Sequence, residues 1–353
     1  MHKKQKNYIY YIIISIILIT FFLNFLLVNF ERNAENGNID NIANAYWYMI
    51  VTLTTVGYGD FYPVTALGRA IGYLYVLSSL GFLGFLISNL TNKIMEFMEK
   101  KKLGYFGTSF TNHIVIIGWN EFGKQVAEQI VRADHSVAVV TNDKANIDLI
   151  LNSFSKKNIF PFFSDYENFE NLKKANINQA FSVFLNFNDD TENLVYLLNF
   201  KKHYKNVRLI AALNNFNLRD TFLSAGAAYA VSKVNIISKL VASYIFEPDA
   251  AKITEDIMTT STEEGDFDMQ EYKVIEKNPY LNKNCLEVFT DMKIKFNCVL
   301  LALSRKNDNG ERIVLKNPSK ETKIKMNDYI ILISDGKSKE SIIEAFGVKE
   351  GRF

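Results

Sequence analysis

Two uncharged apolar runs, Tyr8 to Phe30 and Ala70 to Leu90, constrain this chain more than any other feature. As helices of 23 and 21 residues, each is long enough to cross a hydrocarbon layer of about 30 Å. The first run exceeds the roughly 7 to 15 apolar residues of a signal peptide and has no small-residue cleavage site after it, so it is expected to be a retained span. Lys3, Lys4 and Lys6 precede the first run and Lys93, Lys100, Lys101 and Lys102 follow the second, whereas the connection between them carries only Arg32 and Arg69. That bias predicts a multi-pass protein of the cell's inner (plasma) membrane with both termini cytoplasmic. Residues 93 to 353 then form a large aqueous part on the inside, with Lys100 to Lys102 facing solvent or lipid headgroups. The chain of 353 residues has a net charge of only +2, which gives no field for a nucleic-acid partner. Its two cysteines, Cys285 and Cys298, and four scattered histidines indicate neither a disulfide framework nor a zinc cluster.

A connection between two spans needs only polar turn residues, yet Ala43 to Leu53 is apolar and aromatic and predicts a re-entrant half-helix over 43–54. Non-helical backbone at membrane depth persists only where it lines a cavity or is buried in protein, and the next residues are Thr54-Thr55-Val56-Gly57-Tyr58-Gly59-Asp60. Replacing the water around a potassium ion takes a stack of oxygens, and successive carbonyls all turn inward only where some residues adopt dihedrals that glycine tolerates. Gly57 and Gly59 supply such positions. Thr55 adds a hydroxyl, while Val56 and Tyr58 are expected to point away from the ion. The negative end of the half-helix favours a cation below it. Trp47 and Tyr48 are placed to brace Tyr58, with Asp60 as a further support.

On these residues the chain, over 8–92, resembles the potassium channel superfamily in its two-span form. The resemblance implies a homotetramer in the lipid bilayer, K+ as the permeant ion, and a filter made by Thr55, Val56, Gly57, Tyr58 and Gly59. Some relatives place a carboxylate where Val51 stands. Related channels also bend the second span at a glycine. Gly81 and Gly84 are the candidates for a gating hinge, the alternative being close helix packing at small residues.

After a linker over 93–111, short runs rich in Val, Ile and Phe alternate with amphipathic segments, the pattern of a parallel α/β sheet. Six strands are expected at 113–117, 136–140, 160–163, 181–185, 207–212 and 228–231. Helices are expected to start near Glu121, Lys144, Glu167, Asp189, Asn217 and Val234. The first turn, Gly118-Trp119-Asn120-Glu121-Phe122-Gly123, has the context of a dinucleotide fingerprint but carries Asn120 where GxGxxG has its second glycine. Gly118, Trp119, Asn120, Phe122 and Gly123, with Asn142, Asp143 and Asp165 after the second and third strands, are the candidate nucleotide contacts.

A pore followed by a degenerate Rossmann-like unit resembles the RCK domains (regulators of potassium conductance) of prokaryotic channels, over 111–350. The resemblance implies a Rossmann-like RCK N-lobe over 112–250, a hinge over 251–271 and a small α+β C-lobe over 272–353, assembled into a gating ring. It also implies four extra soluble RCK copies completing that ring, for which Met95 or Met98 is a candidate start. The gating ligand stays open between an adenine nucleotide or NAD(H) in the crevice and calcium or a similar divalent ion on Asp249, Glu255, Asp256, Glu263 and Glu264. The expected function is a potassium-selective channel gated by that ring, with no catalysis. A membrane-anchored NAD-dependent oxidoreductase has only the Rossmann-like pattern in its favour, and Tyr58 argues against a poorly selective cation channel.

Overall fold

The computed structural model describes residues 2–260 and 265–352, so Glu263 and Glu264, two of the hinge carboxylates, lie outside the described residues. The chain divides into two units, Met1–Glu99 and Lys100–Phe353.

The first unit is built from α1 (His2–Glu31), α2 (Ile42–Leu53) and most of α3 (Ala66–Lys102). Both α1 and α3 are long and apolar enough to cross a membrane. Helix α2 starts where Asn41 takes the amide of Asn44 on its side chain at 3.0 Å, a cap in extended backbone conformation. Leu27, Ile39, Ala45, Tyr48, Ile71 and Tyr75 form the core of the three helices. The polar Asn24 is fully buried among them, its Oδ1 accepting from the Tyr75 hydroxyl at 3.1 Å and its Nδ2 donating to Met49 Sδ at 3.3 Å.

The second unit holds two sheets. Strands β1 (Ile114–Ile117), β2 (Val137–Thr141), β3 (Ile159–Phe163), β4 (Ser182–Leu185), β5 (Leu209–Leu213) and β6 (Tyr229–Ser232) are all parallel, in the order β3-β2-β1-β4-β5-β6. Strands β1, β2 and β4 are buried along their whole length, as a sheet covered on both faces requires. Helices α4 (Glu121–Arg132), α5 (Lys144–Ser153), α6 (Asp190–His203), α7 (Arg219–Ser224) and α8 (Lys233–Phe246) follow five of the strands. The expected helix from Glu167 does not form: two short 3-10 turns, Asn171–Ala175 and Ile177–Gln179, stand there. The reason is local, since Asp165 and Asn168 hydrogen-bond the amides of Glu167 and Asn171, and Asn176 turns left-handed at φ +50°.

The region expected to be a hinge over 251–271 is largely regular. Helix α9 (Pro248–Ile257) runs into it, started by a proline whose missing N–H is no loss in the first turn, and β7 (Phe267–Lys273) runs out of it. Strands β7, β8 (Val299–Lys306), β9 (Arg312–Lys316) and β10 (Tyr329–Asp335) form an antiparallel sheet in the order β7-β10-β8-β9. Helices α10 (Cys285–Phe296) and α11 (Ser338–Phe346) pack on it. Helix α10 is not among the expected elements, although Asn284 caps it and Cys285, Val288 and Met292 form its buried stripe.

Candidate functional site

The segment after α2 is held by one carbonyl. Val51 O accepts from the amides of both Val56 and Gly57, at 2.9 and 3.1 Å. Beyond it the backbone alternates in hand: Thr55, Gly57 and Gly59 have φ of +62°, +56° and +77°, while Val56 and Tyr58 stay on the ordinary side. In a uniform strand successive carbonyls point to opposite sides, and reversing the hand at every second residue turns them to one side. An added Cβ at Gly57 or Gly59 would meet nothing within 4 Å, so glycine stands there for its dihedrals and not for space. A β-branched residue at positive φ, as at Thr55, is rare and strained.

Trp47 lies parallel to Tyr58 and donates from Nε1 to Asp60 Oδ2 at 2.8 Å. Asp60 O accepts from Asn38 Nδ2 at 2.7 Å, tying the far end of the segment to the loop before α2. Tyr48 does not join this group within the chain. One residue further round α2, it points to α3, where its ring lies 6.2 Å from Tyr75 and its hydroxyl fills the space over Gly72.

The start of α3 is fixed by Glu31, a residue absent from the expected site. Its carboxylate, 1% exposed, accepts from the amides of Val64 and Thr65 at 2.8 and 3.0 Å and from the Thr65 hydroxyl at 2.6 Å. A negative group at a helix N-terminus is favoured by the unpaired amides there. Gly68 makes room for it, since a Cβ at Gly68 would fall 2.0 Å from Glu31 Oε1. The lone acid closing an otherwise uncharged span was the available signal. Gly81 and Gly84 lie in the uninterrupted helix α3, with nothing of this chain within 4 Å of an added Cβ.

In the second unit the residues after α3 are clamped along the edge of the parallel sheet. Leu103 is buried and its carbonyl accepts from Phe163 N at 3.0 Å, at the end of the edge strand β3. Thr108 N donates to Lys174 O and Asn176 Nδ2 to Phe110 O, at 2.9 and 2.8 Å. Gly104, at φ +79°, brings its backbone so close that a Cβ would lie 2.5 Å from Pro161 O. Lys174 Nζ sits 5.0 Å from the centre of the Tyr105 ring, and Lys102 pairs with Asp148 at 2.6 Å.

The crevice at the carboxyl ends of β1 and β4 is the switch point of the sheet. Gly118, at φ +90°, is pressed on the turn just after β4: a Cβ there would lie 2.8 Å from Asn186 O. Asn120 caps α4 by accepting from Gly123 N at 3.0 Å, and its Nδ2 donates to Asn188 Oδ1 at 2.8 Å. The buried Asn186 donates to Asn120 Oδ1 at 2.7 Å, and its Nδ2 lies 2.6 Å from where a Cβ of Gly123 would be. Asn120 thereby occupies one of the amides that a pyrophosphate on this helix N-terminus would use. The other candidates are also engaged: Asp143 caps α5 on Ala145 N, Asp165 bonds Glu167 N, Trp119 packs on Phe154, and Phe122 lies under Lys233 Nζ. Burial holds the Lys233 ammonium below its ordinary value. Asn142 is exposed at the turn after β2. In this arrangement the side chains of Asn120, Asp143 and Asp165 already accept from backbone amides of their own turns.

Asp249, Glu255 and Asp256 are spread along the exposed side of α9, with Glu255 accepting from the Tyr244 hydroxyl. Among the described residues no three acidic, histidine or cysteine side chains converge as a metal site.

Residues 10–96 match the family described as "Ion channel" and residues 114–233 match the "TrkA-N domain". Potassium channel protein 1 of Methanocaldococcus jannaschii is 25% identical over 87% of this chain and 86% of its own length. The calcium-gated potassium channel TvoK of Thermoplasma volcanium is 26% identical over 94% of this chain and 92% of its own. A solved structure, the GsuK channel bound to NAD, aligns with 98% of this chain and 60% of its own at 15% identity and a TM-score of 0.41, a likeness too distant to bear on the ligand. Two helices long and apolar enough to cross a membrane, with the Thr55–Gly59 segment between them, followed by a TrkA-N sheet and a small second lobe, give the chain the architecture of the two-span potassium channels that carry an RCK domain.

Proposed function

We propose that four copies of the chain surround one axis in the inner membrane, both termini inside, and conduct K+ through a filter of Thr55, Val56, Gly57, Tyr58 and Gly59. The alternating hand of Thr55, Gly57 and Gly59 carries this reading, because it turns consecutive oxygens toward one ion path. Trp47 and Asp60 hold the filter from behind. Helix α3 leads from the filter to the clamp on β3, so a ring of RCK domains changes the pore by shifting Leu103, with Gly81 and Gly84 as the positions where α3 bends. Four further soluble RCK copies, started at Met95 or Met98, complete that ring.

The proposed gating ligand is calcium. Support comes from the calcium-gated relative that aligns along nearly the whole chain, and from the acids of α9. Asp249 and the Glu255–Asp256 pair lie two turns apart on α9 and do not converge within the described residues, so each brings carboxylates to a shell that a neighbouring copy completes. A ligand moves the ring only by its difference in affinity between the closed and open shapes. The test is calcium titration of K+ flux from liposomes. Asp249→Asn with Asp256→Asn is expected to raise the half-activating calcium concentration by about tenfold or more, and an unchanged titration would rule these acids out.

A further inference from the structure

Strands β3 and β4 are separated in the sheet by β2 and β1, a distance of about 14 Å at roughly 4.8 Å per strand. Yet Tyr166, just past β3, meets Phe187, just past β4, edge to face with ring centroids 4.9 Å apart. The chain after β3 therefore folds back across the carboxyl ends of β2 and β1. Phe187 is 6% exposed and lies on Gly118, its Cδ1 3.1 Å from where a Cβ would stand. Both its backbone groups are fixed by the buried Asn193, which accepts from Phe187 N at 3.2 Å and donates to Phe187 O at 3.1 Å. The backbone leading into Tyr166 is tied to the end of β2, where a Rossmann fold holds a ribose, by Ser164 N donating to Thr141 O at 3.0 Å. The rings thus cover the glycine turn and the ribose turn together, beside the amide cap of Asn120.

We propose that Tyr166 and Phe187 are a built-in occupant of the switch-point crevice, standing where a dinucleotide would lie, so that this ring is held by an internal ligand and not by a free nucleotide. The occupant also has a grip on the pore. Tyr166 follows by three residues the Phe163 amide that holds Leu103 O, so the ring in the crevice and the end of the pore linker are anchored on one short stretch of backbone. Emptying the crevice frees that stretch. This inference does not depend on the identity of the gating cation.

The experiment is equilibrium binding of ADP and of NAD to the full-length channel in detergent, with K+ flux in calcium-free liposomes as a second readout. Wild type is expected to show no saturable binding up to about 1 mM. Tyr166→Ala is expected to bind ADP at least about tenfold more tightly than wild type, and to change the calcium-free flux at least about twofold. Tyr166→Phe keeps the ring in place and should stay with wild type in both. Phe187→Leu, which removes the other ring, is the second variant and is expected to gain binding too. Saturable wild-type binding of either nucleotide below about 1 mM would overturn the proposal, as would intact Ala and Leu variants that gain none.

Discussion

The rings of Trp47 and Tyr58 lie 6.0 Å apart with their planes within 2° of parallel, while the Trp47 Nε1–H holds Asp60 at 2.8 Å. One indole thus contacts the filter segment at two points, through its face and its edge. Trp47→Phe keeps a ring and removes the hydrogen bond, whose loss to a charged partner costs about 1 to 3 kcal/mol. The variant is expected to lose K+ over Na+ preference by several-fold, measured as a reversal potential under bi-ionic conditions, and Asp60→Asn is expected to do less. An unchanged reversal potential in both would remove these residues from the filter's support.

Glu31 is the residue on which the start of α3 depends. Glu31→Ala leaves two backbone amides and the Thr65 hydroxyl without their acceptor, a loss of roughly 2 to 4 kcal/mol per chain. The expected result is a lower thermal midpoint of the assembled channel, with Glu31→Gln intermediate because one acceptor oxygen remains. Gly68→Ala should match the alanine variant by pushing the carboxylate away. A full-length channel whose midpoint ignores all three would show that the cradle is not structural.

At the linker, Gly104→Ala has both a backbone and a packing penalty. A left-handed alanine costs about 1 to 2 kcal/mol, and its Cβ would overlap Pro161 O. The variant is expected to conduct K+ but to respond weakly to calcium, because the pore helix is no longer clamped to β3. An unaltered calcium response would place the coupling elsewhere.

Two histidines predict a pH dependence of stability. Burial holds both His113 and His135 below their ordinary value, and His113, donating from Nε2 to Ala175 O at 2.9 Å, has no partner for Nδ1. The unfolded chain therefore takes up protons first as pH falls. Their contribution to stability is complete above the ordinary histidine value of about 6.5 and is lost as pH falls through the lower folded values. The thermal midpoint of the full-length channel should fall between about pH 7 and pH 5, with a shallower slope in His113→Phe. Equal slopes would exclude His113 as a source.

Much of the architecture is legible without coordinates where the signal is local. The filter string, the two spans and the six βα strands each carry their own periodicity, and the missing glycine at Asn120 already marks the weakened phosphate site. What escapes is set by contacts far apart in sequence. Glu31 finds its partners 33 and 34 residues later, and Tyr166 crosses two strands to reach Phe187. Spacing alone puts Tyr48 beside Tyr58, but the helical rotation of one residue sends it to Tyr75 of α3. Likewise the Asp165 and Asn168 side chains compete with the backbone and stop a helix that the pattern predicts after β3.

The most direct test of the central claim is ion flux from liposomes holding the purified full-length chain, with K+ and Na+ compared and calcium titrated. The account predicts K+ flux well above Na+ flux that changes with calcium and is abolished by Gly57→Ala, where a left-handed backbone is required. Equal K+ and Na+ flux, or none at any calcium concentration, would contradict it.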